Sequence, residues 1–284
     1  YRDPYLIGWM TVVVSASDLA AVGADPLGIL LNQTLPCGIE PEFQDELQRG
    51  IGEACSAFGI FPLGGDVNES NRLHMASTAA GTVPDGEAML RSGARPGDHL
   101  FITGPAGAGN AFAFEVLSDD REVPRLVYRP RARLREGLLL RRFASACMDT
   151  SDGLIATLDE LMRRSGFGLQ LEPNSVDLLQ PQARALAREA GIPAFVFLAG
   201  PHGEFELVFS IPPERLSEFR AEAGAAGLSI SRLGVARQRP GLQLSEREGG
   251  AWLDTAGVRN LAYERPRDLD EFVTRLVALT RPDY

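Results

Sequence analysis

Ala146-Cys147-Met148-Asp149-Thr150-Ser151-Asp152-Gly153-Leu154 carries three apolar residues into an acidic turn, and Leu158 and Leu161 follow Leu154 at helical spacing. The pattern reads as a short buried strand or helix end, a turn, and then a helix. Two carboxylates with a hydroxyl between them lie beside that helix N-terminus, which itself attracts an anion. Oxygen-only ligands on a sharp turn suit Mg²⁺, with substrate phosphates usually completing its shell. Asp and Ser are also favoured helix caps and turn residues, so for any one of them alone capping is the commoner reason.

Similar junctions occur upstream, at Asp18 after Ser15-Ala16-Ser17 and at Asp66 after Gly64-Gly65. The β-branched run Trp9–Val14 reads as a strand, and Leu19–Val22 as a short helix capped by Ser17 or Asp18 and ended by Gly23. A strand is expected over Gly28–Leu35. Phe43, Leu47, Ile51, Cys55 and Phe58 then mark an amphipathic helix with Pro41 near its start, weakened at Gly50 and Gly52. Gly64-Gly65-Asp66 reads as a tight loop before a strand, Arg72–Val83. The turn Pro84-Asp85-Gly86 is the expected domain boundary, dividing the chain into 1–84 and 85–284.

Beyond it come a strand (Asp98–Thr103), the loop Gly104–Gly109, a helix (Ala111–Leu117) and an arginine-rich segment (Arg121–Arg142). Strand-like runs Phe167–Leu171, Phe205–Ile211 and Leu228–Leu233 alternate with helices around Gln182–Ala190 and Pro213–Ala225. The fold class is α+β in two parts, with no internal repeat.

A chain of 284 residues with 44% apolar and 23% charged residues has ordinary globular composition, neither disordered nor fibrous. With 28 basic against 38 acidic residues its net charge is −10, which argues against a nucleic-acid surface or docking on anionic lipid. All 28 basic residues are arginine, so a phosphate-loop, Schiff-base or kinase-strand lysine is excluded. The three histidines lack metal spacing, and the three cysteines form neither a disulfide framework nor a zinc cluster. No apolar run approaches the ~18 residues that span a bilayer, and no signal-peptide pattern opens the chain. The expectation is a soluble protein of a reducing cytoplasm. Because the chain opens on Tyr1, a further N-terminal piece is expected upstream.

Three weaker signals remain. The glycine loop lies between strand and helix but lacks the dinucleotide fingerprint, and Asp119 and Asp120 come too early to serve as its acidic partner, so tight turning explains it better. Arginines 129, 131, 133 and 135 suit phosphates, although a solvated face is the usual meaning of such a run. Glu204 and Glu206 alternate onto one strand face, read here as exposed, with His202 nearby.

Taken in order, the motifs resemble those of the thiamine-monophosphate kinases. Ser15-Ala16-Ser17-Asp18-Leu19-Ala20-Ala21-Val22-Gly23-Ala24 is similar to that family's Asn-Leu-Ser-Asp-Leu-Ala-Ala-Met-Gly-Ala. Gly64-Gly65-Asp66 matches its Gly-Gly-Asp, and Arg91-Ser92-Gly93-Ala94-Arg95-Pro96-Gly97-Asp98 resembles its entry to the second domain. Asp149-Thr150-Ser151-Asp152-Gly153-Leu154 resembles Asp-x-Ser-Asp-Gly-Leu, and Glu204-Phe205-Glu206-Leu207 resembles Asp-Tyr-Glu-Leu. The family belongs to the aminoimidazole ribonucleotide synthetase superfamily, of PurM-like fold, and the resemblance covers nearly the whole chain.

It implies an N-terminal α/β domain that pairs in a homodimer, a C-terminal α/β domain, and ATP with several Mg²⁺ ions. By position, Asp18, Asp66, Asp149 and Asp152 would be metal ligands, Gly65, Arg91 and Ser151 ATP contacts, and Glu204 a substrate contact. The implied activity is ATP- and Mg²⁺-dependent phosphorylation of thiamine monophosphate, a small phosphorylated acceptor, with no nucleic-acid or membrane partner. The alternatives are a related ATP-using enzyme with another substrate and a non-catalytic ATP-binding dimer. The sequence departs from the family at four places, the first being Ser15-Ala16 where the family has Asn-Leu before Ser-Asp. Its Gly-Asp-Asp-Ala segment is not in this chain, Gly203 stands where the substrate-binding Glu aligns, and Val258 replaces an aromatic that stacks on the thiazole. Trp252 and Tyr263 are the nearby aromatics that could take over that stacking.

Overall fold

The computed structural model describes residues 2–118, 125–245, 247, 249–261, 263–264 and 266–281. Asp119, Asp120, the start of the arginine-rich segment and the last three residues lie outside the described residues. The chain forms two compact units, Tyr1–Ala88 with Arg129–Arg142, and Met89–Tyr128 with Phe143–Tyr284.

The first unit contains α1 (Pro4–Val22), β1 (Asp25–Pro36), α2 (Pro41–Phe58), β2 (Pro62–Ser70), β3 (His74–Thr82) and, from its second segment, α4 (Leu134–Leu140), numbered in chain order. The strand and short helix expected over Trp9–Val22 are one continuous helix. The Asp3 carboxylate accepts the Tyr5 N–H at 2.9 Å, Pro4 opens the first turn, and Gly23 closes the last at φ 71°. Thr11, Val12 and Val13 are buried, and their packing outweighs the weak helix propensity of β-branched residues. Ser17 and Asp18 therefore lie within the helix, whose N-cap is Asp3.

At 19 residues and mean hydropathy 1.5, α1 is long and apolar enough to cross a membrane, contrary to the expectation that no such run exists, although 56% of its most apolar window is buried in the fold. Gly8 and Gly50 let α1 and α2 meet backbone to backbone. A Cβ on Gly8 would lie 2.1 Å from the Leu47 carbonyl oxygen, and one on Gly50 would lie 2.1 Å from that of Tyr5.

β1 is the centre of a three-stranded sheet, parallel to β2 and antiparallel to β3. Gly64-Gly65-Asp66 is thus not a loop but part of β2, in register with Leu30, Leu31 and Asn32. Residues 129–142 return to this unit because their side chains are satisfied there. Trp9 Nε1 donates to the Pro130 carbonyl at 2.7 Å, the Arg129 guanidinium lies 4.0 Å over the Trp9 ring, and Arg141 donates to the Gly23 carbonyl at 2.8 Å. The unit extends past the boundary expected at residue 84.

The second unit contains β4 (His99–Thr103), α3 (Ala108–Ser118), β5 (Ala146–Asp149), α5 (Leu154–Ser165), β6 (Gly168–Gln170), α6 (Ser175–Leu178), α7 (Pro181–Ala190), α8 (Phe195–Ala199), β7 (Leu207–Ile211), α9 (Leu216–Ala225), β8 (Ile230–Arg237), β9 (Gly241–Gln243), β10 (Trp252–Leu253), α10 (Thr255–Leu261), α11 (Leu269–Ala278) and β11 (Thr280–Arg281). Its sheet runs β11-β10-β9-β6-β8-β4-β7-β5. Phe101, Phe209 and Phe219 centre its core with ring centroids 5.6–5.7 Å apart. β5 is the edge strand of that sheet, and the acidic turn leaves from its end.

Candidate active site

Asp149 closes β5 with 1% exposure, Asp152 stands exposed, and Gly153, at φ 87°, precedes α5. The Ser151 hydroxyl donates to Asp149 Oδ1 at 3.3 Å. Thr157 Oγ1, one turn into α5, donates to the carbonyls of Asp149 and Gly153, each at 3.0 Å, tying the turn to its helix. Leu90 is held at the other side of β5, where its carbonyl accepts the Cys147 N–H at 2.9 Å. Arg91 follows it.

Arg91 and Asp152 line one cavity of about 400 Å³ with Met148, Glu160, Val258, Arg259 and Tyr263. The Asp159 carboxylate accepts from Thr255 Oγ1 at 2.6 Å and pairs with Arg259, fixing α10 to α5 and setting Val258 and Arg259 in the wall. Tyr263, 80% exposed, stands at this cavity. Trp252 does not: the Arg239 guanidinium lies 4.7 Å over its ring, and it lines a separate hollow of about 200 Å³ with Arg237 and Gln243.

In the first unit Asp18 is exposed on α1, and Asp66 lies in β2 with its carboxylate accepting from Val67 N–H and Asn68 Nδ2. Gly65 sits so close to β1 that a Cβ would be 1.8 Å from the Leu31 carbonyl oxygen. Each unit thus holds two of the four expected metal ligands. Among the described residues, no three His, Cys, Asp or Glu side chains gather to hold a metal.

Glu204 and Glu206 differ from expectation. They precede β7 rather than alternating along an exposed face, and both are buried. Glu204 Oε2 and Oε1 accept the N–H groups of Ala108 and Gly109 at 2.9 and 3.0 Å, so the carboxylate expected to meet substrate instead caps α3. The same bonds close the glycine loop on an internal carboxyl group, in line with tight turning. Burial pushes the Glu204 carboxyl up to about 8, opposed by the Gly109 N–H and reinforced by the charge of Glu206.

His202 is likewise largely internal. Its N–H donates to Asn110 Oδ1 at 2.9 Å, and burial lowers its pKa. Arg259, Glu160 and Thr150 were not singled out in the sequence. The bonds that place Arg259 and Thr150 join residues 56 to 100 positions apart, and no local pattern signals them.

A buried and an exposed carboxylate on one turn, with an arginine lining the same cavity as the exposed one, are groups suited to handling a phosphate. Known sequences narrow this reading. The N-terminal domain of AIR synthase related proteins matches residues 1–83 and the C-terminal domain residues 95–246. The thiamine-monophosphate kinase of Methanospirillum hungatei is 34% identical over 212 residues, 74% of this chain and 69% of that relative. That of Caulobacter vibrioides is 33% identical over 225 residues, 77% of this chain and 64% of the relative. The crystal structure of thiamine monophosphate kinase from Aquifex aeolicus superposes with a TM-score of 0.72 at 25% identity, over 85% of this chain and 81% of that one; a complex with AMPPCP and TMP gives 0.70. The chain belongs to the AIR synthase related family and, within it, to the thiamine-monophosphate kinases, which are ATP-dependent phosphotransferases.

Proposed function

We propose that this chain transfers the terminal phosphoryl group of ATP to thiamine monophosphate, forming thiamine diphosphate and ADP. The observation that carries the reading is the single cavity holding Arg91, Asp152 and Tyr263, beside the turn that bears Asp149 and Ser151. A phosphate oxygen of the acceptor attacks the γ-phosphorus, and the bond to the β–γ bridging oxygen breaks. Such a transfer needs positioning and charge neutralisation more than covalent help from protein. Arg91, Ser151 and Gly65 are the proposed ATP contacts.

The donor set fits Mg²⁺, because the Asp149 and Asp152 turn offers hard oxygen ligands with no nitrogen or sulfur among them. Asp149 and Asp152, with Asp18 and Asp66, are its proposed ligands, and Mg²⁺ when bound neutralises the triphosphate. Tyr263 supplies the ring face that Val258 cannot, which favours a heteroaromatic acceptor over a non-catalytic ATP-binding role. The acceptor contact assigned to Glu204 is not part of this reading.

The protein is further proposed to be a homodimer through its first unit. Leu30, Leu63 and Val67 leave apolar surface on β1 and the edge strand β2, and Phe61 is 70% exposed beside them. Three free cysteines, Cys37, Cys55 and Cys147, support a reducing setting such as the cytoplasm.

Kinetics of thiamine diphosphate formation test the acceptor site. Tyr263→Ala should raise the KM for thiamine monophosphate about tenfold, while Trp252→Ala leaves it unchanged. No thiamine diphosphate from the wild type, or a KM indifferent to Tyr263, would reject this acceptor.

A further inference from the structure

We propose that Thr150 is a positioning residue for the turn Asp149–Asp152, locking it to the segment 204–206; this rests on that turn serving ATP and Mg²⁺. Thr150 is fully buried, and its N–H, carbonyl and hydroxyl each bond that segment, the carbonyl also accepting the Gly153 N–H at 3.1 Å within the turn. Its N–H donates to the Glu206 carbonyl at 2.8 Å, its carbonyl accepts from Glu204 N–H at 3.0 Å, and its Oγ1 accepts from Glu206 N–H at 3.0 Å.

The segment is itself pinned from both ends. The Glu204 carboxyl group accepts the amides of Ala108 and Gly109, Glu206 Oε2 accepts from Thr103 Oγ1 at 2.6 Å, and Thr103 Oγ1 in turn accepts the Leu207 N–H at 2.8 Å. Between them Phe205 sits at φ 60°, the one non-glycine among the described residues with positive φ, a conformation retained where surrounding contacts over-determine it.

Gly203 seats the brace: a Cβ there would lie 2.3 Å from the Ser151 carbonyl oxygen. Side chains that must hold a fixed geometry depend on such supporting bonds, and a turn freed of them loses the alignment of its carboxylates and hydroxyl.

Removing the hydroxyl tests this. Thr150→Val keeps the shape but leaves the Glu206 N–H without its acceptor, whereas Thr150→Ser retains the oxygen. Binding of a non-hydrolysable ATP analogue with Mg²⁺ is measured by calorimetry on the full chain, alongside the KM values for ATP and thiamine monophosphate. The expected result is about tenfold weaker analogue binding and a matching rise in the KM for ATP in Thr150→Val, little change in the KM for thiamine monophosphate, and recovery to within about twofold in Thr150→Ser. If Thr150→Val fails to fold, Thr150→Cys, with a weaker acceptor at the same place, takes over the comparison. Analogue binding at wild-type strength in the Val or Cys variant, or a loss that Ser does not restore, overturns the positioning role alone. A wild type that binds no analogue overturns the nucleotide reading and this proposal with it.

Discussion

Glu204 shows how much one buried carboxyl can decide. Its folded pKa of about 8 lies well above the ordinary carboxylate range, so between about pH 4.5 and pH 8 the folded chain keeps a proton that the unfolded chain has lost. Stability from this group is therefore greatest in acid and falls as pH rises through that window. Glu204→Gln resembles the protonated form and should show a flatter dependence of Tm on pH between 5 and 8. Parallel Tm profiles for variant and wild type would mean that Glu204 does not titrate there. The alternation of Glu204 and Glu206 is visible in the sequence, but their burial is not, because the amides and hydroxyl that satisfy them come from residues 103–109. In the sequence Trp252 and Tyr263 are equal candidates for a stacking aromatic; in the structure Tyr263 stands at the cavity of Arg91 and Asp152, while Trp252 lies beneath Arg239 in a separate hollow.

At the level of elements, local spacing was a good guide wherever one face is buried and the other wet. α2 and α5 carry their apolar residues at helical intervals and stand close to where the sequence puts them. α1 was hidden because it is apolar almost all round, so it has no periodicity to tell a helix from a strand. β2 was hidden because its glycines suggest a turn until the neighbouring strand is known. The two glycines of α2 separate packing from propensity. Gly52 has open space where a Cβ would go, so Gly52→Ala should stabilise the chain by about 0.5–1 kcal/mol. Gly50→Ala must push α1 away and should cost about 1–3 kcal/mol. Denaturant unfolding of both variants checks this, and shifts of the same sign would refute the close α1–α2 contact.

For the whole molecule, the two-part α+β plan was readable from the order of elements and the ordered motifs. The return of residues 129–142 to the first unit was not, since a run of arginines reads as a solvated face until Trp9 and Gly23 are seen to receive it. Sedimentation equilibrium at micromolar concentration should give twice the 30.7 kDa of one chain, and replacing Leu30 and Leu63 by Asp should halve that mass. A wild-type monomer at that concentration would contradict pairing through β1 and β2. The phosphotransferase assignment itself is tested most directly by following the ³¹P spectrum of the protein with ATP, Mg²⁺ and thiamine monophosphate. ADP and the paired phosphorus resonances of thiamine diphosphate should grow in equal amounts as ATP is consumed. ATP left intact, or ADP accompanied by inorganic phosphate alone, would contradict it.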